Sequence, residues 1–171
     1  MAKIIENLYV DIQTVGKKML LEEGYNQMTL RLVASKCNIA TGTIYNYFKS
    51  KDALVATIMF KDWQGLLDKT GPKVEKSKKA IDGLELIFNM IKDYTAIYQK
   101  AWIDYGGSLI GLKDRHSILI KQISDMINSI FNRFEIDVSS ANFISEVLLY
   151  SAIREDVSFV DIRPFILKIM N

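Results

Sequence analysis

The stretch Thr29–Phe48 reads TLRLVASKCNIATGTIYNYF, and its local chemistry predicts two short helices joined by a tight turn. Thr29 supplies a side-chain oxygen to cap a helix over about Leu30 to Lys36, whose buried side carries Leu30, Val33 and Ala34. Cys37-Asn38-Ile39 follows as the turn, because asparagine tolerates the left-handed conformation better than other residues bearing a Cβ. The second helix spans about Thr41 to Tyr47. Two helices so joined have the geometry of a helix-turn-helix, in which the second enters the major groove of DNA and the first braces it across the backbone.

The side chains fit that use. Thr41, Thr43 and Asn46 are short or planar hydrogen-bonding groups able to reach base edges or phosphates, and Gly42 removes a side chain where the helix start approaches DNA closely. Tyr45 and Tyr47 carry hydroxyls on rigid rings, suited to phosphate contacts. No acidic residue stands between Glu23 and Asp52, whereas Arg31, Lys36, Lys49 and Lys51 are basic, so this stretch is locally +4 in a chain of net charge +2. Composition alone reads such a cluster as a solvated face; it points to a polyanion only together with the helix pair.

Outward from this stretch the chain reads as all-α. Apolar residues at Ile5, Leu8, Ile12, Val15 and Met19 alternate at spacings of three and four, predicting a first helix from about Lys3 to Glu23, with Gly24 at the left-handed position beyond its end. Ser50 caps a fourth helix that reaches about Lys69 and is broken by Gly71-Pro72, with Lys73 to Lys79 as a solvated connection. Further helices are predicted over about 80–100, a shorter piece to about 112, then 115–134, 140–155 and 161–170, with Pro164 acceptable only in the first turn of the last. The division expected is a DNA-binding domain over 1–50 and a larger helical domain over 51–171.

Residues Ile12 to Ala56 closely resemble the DNA-binding domain of the TetR family of regulators. Val15-Gly16, Met19-Leu20 and Glu23-Gly24-Tyr25 are similar to that family's first helix, and Thr29, Arg31 and Val33-Ala34 to its second. Gly42-Thr43-Ile44-Tyr45-Asn46-Tyr47-Phe48, then Lys49-Ser50-Lys51-Asp52-Ala53-Leu54, look like its recognition helix and the start of its fourth helix. The resemblance implies phosphate contacts from Thr29, Tyr45, Tyr47 and Lys51, base contacts from Arg31, Thr41, Thr43 and Asn46, and core positions for Ile44 and Phe48. It also implies a C-terminal ligand-binding and dimerisation domain, and thus a ligand-responsive repressor acting as a homodimer on an operator in double-stranded DNA. Three residues depart from the family's usual pattern. Ala40 stands in place of a capping serine, which costs the recognition helix about 1 kcal/mol unless Thr41 takes over as cap. Cys37-Asn38 replaces alanine-glycine, and Tyr47 replaces histidine.

Residues 70–171 hold no motif. Phe60, Trp63, Phe88, Tyr94, Tyr98, Trp102 and Tyr105 are dense enough to line an apolar pocket for a small-molecule effector, or else are ordinary helix-packing residues; both readings stand. The last two helices carry wide apolar faces, and Phe143, Val147, Tyr150, Phe165 and Ile169 are the candidates for a dimer interface. No metal site and no cofactor is expected, since His116 is the only histidine and Cys37 the only cysteine. A lone cysteine and the lack of a long apolar run point to a cytoplasmic protein away from membranes. No nucleophile with a base, acid pair or phosphate loop supports an enzyme. Asp104-Tyr105-Gly106-Gly107 lacks the spacing and lysine of a P-loop.

Overall fold

The computed structural model describes residues 7–104 and 112–170. Among them the backbone forms α1 (Leu8–Glu22), α2 (Leu30–Lys36), α3 (Thr41–Ile44), α4 (Lys51–Glu75), α5 (Ala80–Asp104), α6 (Leu112–Arg133), α7 (Ala141–Ile153) and α8 (Phe159–Met170), with no strand. None of these helices is long and apolar enough to cross a membrane. The chain separates into two compact units, the first holding residues 7–64 with the 97–104 end of α5, the second 65–96 with 112–170. By packing, α4 and α5 are each shared between the two units.

In the first unit α1 packs on α2, and α2 on α3. Leu8, Ile12, Met19 and Leu20 form the buried stripe of α1 and meet Met28, Leu30, Val33, Ala34, Ile44 and Phe48 in one small core. A Cβ added to Gly16 would stand 3.1 Å from both Ile58 Cδ1 and Leu54 Cδ2, so α1 and the first half of α4 are close enough that a larger residue would make these two side chains shift. The turns obey local chemistry. Gly24 takes φ +90° and Asn38 φ 59°, both left-handed. The Leu32 amide donates to Thr29 Oγ1 at 3.2 Å and the Ala53 amide to Ser50 Oγ at 3.1 Å, so both expected caps form.

Several helix limits differ from the sequence reading. α3 is α-helical only to Ile44; the chain then tightens, with the Asn46 amide donating to the Thr43 carbonyl and Tyr47 to Ile44, before Phe48 returns to the Ile44 carbonyl. α4 does not stop near Lys69 but continues through Gly71 and Pro72 to Glu75. α5 runs on to Asp104, and α8 begins at Phe159, which makes Pro164 its sixth residue instead of a first-turn residue. Pro72, Pro164 and the residues whose carbonyls they orphan, Asp68 and Val160, are all exposed, which keeps the cost of each lost hydrogen bond below that of a buried orphan.

The second unit is held by side chains that cap distant backbone. Arg133, at the end of α6, donates to the Val74 carbonyl at 3.0 Å, to the Glu75 carbonyl and to Ser77 Oγ at 2.7 Å, satisfying the C-terminus of α4. Lys92 of α5 does the same for the connection after α7, donating to the carbonyls of Arg154 and Val157. α6 packs on α7, and a Cβ on Gly83 would lie 2.8 Å from Ile130 Cδ1, so α5 and α6 also meet closely.

Three carboxylates sit below the usual aspartate range. Hydrogen bonds from the Ser139 hydroxyl and amide lower Asp137, those from Arg154 lower Asp156, and those from the Ser158 hydroxyl and amide lower Asp161. A depressed native pKa adds stability that is present above the unfolded value and lost as pH falls through the native one. The thermal midpoint is accordingly expected to fall between about pH 5 and pH 2, and to fall less in Asp161→Asn, which no longer titrates there. Calorimetry across that range checks it; equal slopes for the two proteins would assign the acid loss to other groups.

Candidate nucleic-acid interface

Two residues decide how α3 is presented. Ile44 is fully buried and Phe48 nearly so, and seating them inward leaves Thr41, Gly42, Tyr45 and Asn46 exposed on the outer side, with Thr43 and Tyr47 half-buried at its edge. A Cβ on Gly42 would meet nothing within 4 Å, so the protein's own packing does not require glycine there. Ala40 is the residue before α3 and makes no side-chain cap; Thr41 is the first helical residue and does not take the cap over.

Arg31 and Thr29, on α2 and its cap, are exposed on the same module. Arg31, Ser35, Asn38, Ile39, Ala40 and Thr41 line one open depression of about 460 Å³, which brings the guanidinium-bearing face of α2 to the head of α3. The Thr29 oxygen accepts from Leu32 and keeps its own O–H to donate.

The basic cluster is more engaged than its composition suggests. Lys36 pairs with Glu23 at 2.6 Å, and Glu23 lies just outside the acid-free stretch. Lys49 donates to the Tyr45 carbonyl at 3.1 Å, closing the end of the recognition segment. Lys51 donates to the Tyr25 carbonyl at 3.0 Å with its ammonium 3.8 Å from the centre of the Tyr25 ring, while the Tyr25 hydroxyl donates to Asp52. Lys51 is thus a fixed charge. Lys51→Met, which keeps the stem, is expected to weaken binding to all DNA sequences by a similar factor and to reduce the salt slope by about 1. Titration against two unrelated duplexes at several salt concentrations checks this; a loss confined to one duplex would contradict it.

Tyr9 was not singled out by the sequence reading. It lies in the first turn of α1 beside the apolar stripe, stacked on Phe48 with ring centres 5.2 Å apart and planes 13° apart, and tilted against Tyr47 at 6.5 Å. Such pairs contribute about 0.5–1.5 kcal/mol beyond their buried area. The periodic pattern of α1 marks its buried side only, and gives no signal for a neighbour that covers an aromatic from another helix.

The described aromatic residues considered for a pocket are distributed over both units. Trp63 and Tyr98 are buried in the first unit, where the Tyr98 hydroxyl donates to Asp62 at 2.5 Å and Lys17 pairs with the same oxygen at 2.5 Å. Phe88 and Tyr94 are buried in the second, Phe88 against Phe159 with ring centres 5.7 Å apart. Phe60 is 53% exposed. The Trp102 side chain and Tyr105 lie outside the described residues, as do the His116 side chain and Gly106-Gly107. A groove of about 540 Å³ in the second unit is lined by α6, α7 and the turn before α7, with Ser124, Asn128 and Asn142 beside the apolar Ile120 and Val138. On α7 and α8, Phe143, Tyr150 and Phe165 are 60%, 59% and 64% exposed; Ile169 is exposed and Val147 half-buried.

Residues 12–58 match the family model described as bacterial regulatory proteins, tetR family. Over 91 residues the chain is 22% identical to the HTH-type transcriptional regulator UidR of Escherichia coli (strain K12), a stretch covering 53% of this chain and 43% of that protein. The chain thus spans less than half the length of this curated relative. Among solved structures it resembles the transcriptional regulator FadR from Bacillus subtilis in complex with stearoyl-CoA, with 17% identity, 95% of this chain and 97% of that one covered, and a TM-score of 0.64. It also resembles Salmonella enterica GusR, with 12% identity, 99% and 98% covered, and a TM-score of 0.70. At these identities the likeness is one of fold.

Proposed function

We propose that this chain, whose residues 12–58 match the tetR family of bacterial regulatory proteins, is a sequence-specific DNA-binding transcriptional regulator, a ligand-responsive repressor that acts as a homodimer in the cytoplasm and is not an enzyme. The observation that carries this reading is the presentation of α3: Ile44 and Phe48 anchor it, and Thr41, Gly42, Tyr45 and Asn46 face outward beside Arg31. In this reading Arg31, Thr41, Thr43 and Asn46 address base edges, Thr29, Tyr45, Tyr47 and Lys51 hold phosphates, and Gly42 lets the backbone come close. Two such modules, set about 34–36 Å apart by pairing through α7 and α8, would read two half-sites on one face of the duplex.

The effector reading rests on α4. That helix starts three residues after Phe48 and runs without a break to the carbonyls held by Arg133, so a ligand that moved its far half would tilt the reading helix. The FadR structure contains stearoyl-CoA, which supports a small-molecule effector for this chain as well. Selection from a random-sequence duplex pool by the full chain tests the function. Enrichment of a two-fold symmetric site is expected; recovery of the unselected pool composition would overturn it in favour of a helical binding protein that keeps the module only to fold.

A further inference from the structure

We propose that Tyr9 is a positioning residue of the DNA interface, its flat ring fixing the plane and reach of Tyr47 for a phosphate of the bound duplex. The proposal rests on the DNA-binding reading above. Tyr9 stands ahead of the matched residues 12–58, so the family match gives it no role. Tyr9 is 43% exposed, which is poor use of a large aromatic residue as core filling. Its contacts explain the placement. One ring face lies nearly parallel to Phe48, the anchor of the recognition segment, and the same side chain leans on Tyr47 at 35°, the half-buried aromatic at the edge of that segment.

Tyr9 therefore bridges a core ring that cannot move and an interface ring that otherwise could. Tyr47 follows the α-helical part of α3, on backbone closed by three-residue hydrogen bonds, so its own helix does little to restrict the ring. A neighbouring plane removes rotamers before DNA arrives. The ordering that binding would otherwise require is then already present in the free protein.

The test uses the full chain, a duplex enriched by the selection above, and an unselected duplex of about three helical turns. Tyr9→Phe keeps the ring and is expected to bind both as the wild type does. Tyr9→Leu keeps apolar cover on Phe48 but offers no plane; it is expected to lower the thermal midpoint by no more than several degrees, to stay fully folded at the assay temperature, and to bind both duplexes about five-fold more weakly. In a Tyr47→Ala background Tyr9→Leu should cost nothing further. Wild-type affinity in Tyr9→Leu, or an undiminished loss in the Tyr47→Ala background, overturns the proposal. So does a loss in Tyr9→Phe, which would make the hydroxyl a direct contact. If the wild type itself enriches no site and binds neither duplex, it is the DNA-binding reading that fails, and this proposal with it.

Discussion

Phe165→Glu is expected to give a folded monomer whose affinity for a duplex with two half-sites is lower by about 10²–10⁴, while its affinity for a single half-site is unchanged. Phe165 is 64% exposed on α8, so a charge at this position stays in water in the isolated chain and costs the fold little. In a dimer joined through α7 and α8 the same carboxylate would sit among Phe143, Tyr150 and their counterparts with nothing to pair with it. Loss of dimerisation then removes the effective concentration that one bound module confers on the other. Sedimentation at micromolar concentration with circular dichroism checks the first half, and titration of one-site and two-site duplexes the second. A variant that sediments as the wild type does would place the interface elsewhere.

Phe48→Ala acts on the other unit. Phe48 is 3% exposed, seated with Ile44 below the recognition segment and covered by Tyr9. Removing a buried phenyl group costs about 3–5 kcal/mol, a large share of the roughly 5–15 kcal/mol that holds a domain together. The core of this unit is small, and α3 has one α-helical turn and no side-chain cap of its own, so it has little else to keep it in place. DNA binding should be lost, while amides of α6 and α7 keep their exchange protection and the protein sediments as the wild type does. Protection falling equally across both units would mean that the chain unfolds as one cooperative body.

What could be read from the sequence was what depends on neighbours within a few positions. Thr29, Ser50, Gly24 and Asn38 each act on backbone no more than three residues away, and all four do in the structure what their chemistry dictates. The two prolines were misread for the opposite reason. The C-terminus of α4 is satisfied by Arg133, 59 residues away from Val74, and no local pattern announces such a partner. The pairing of Lys36 with Glu23, 13 residues away and outside the acid-free stretch, was equally without a local signal. Among the aromatics, Trp63 and Phe60 sit three residues apart on one helix yet end in core and solvent, a distinction set by the elements that pack against α4 and not by α4 itself.

Asp62 has a consequence for anyone who would transplant this reading head onto another regulator. One carboxylate oxygen receives Lys17 from α1 and the hydroxyl of Tyr98 from α5, and Leu54 and Ile58 fill the space that Gly16 leaves open. A chimera joined at residue 50 would inherit Lys17 without its counter-ion and a glycine facing a void or a clash, whatever helix came next. The portable cassette is defined by its packing, not by its motif: residues 7–64, together with the stretch of α5 that carries Tyr98 or a host helix offering a hydroxyl at the same place.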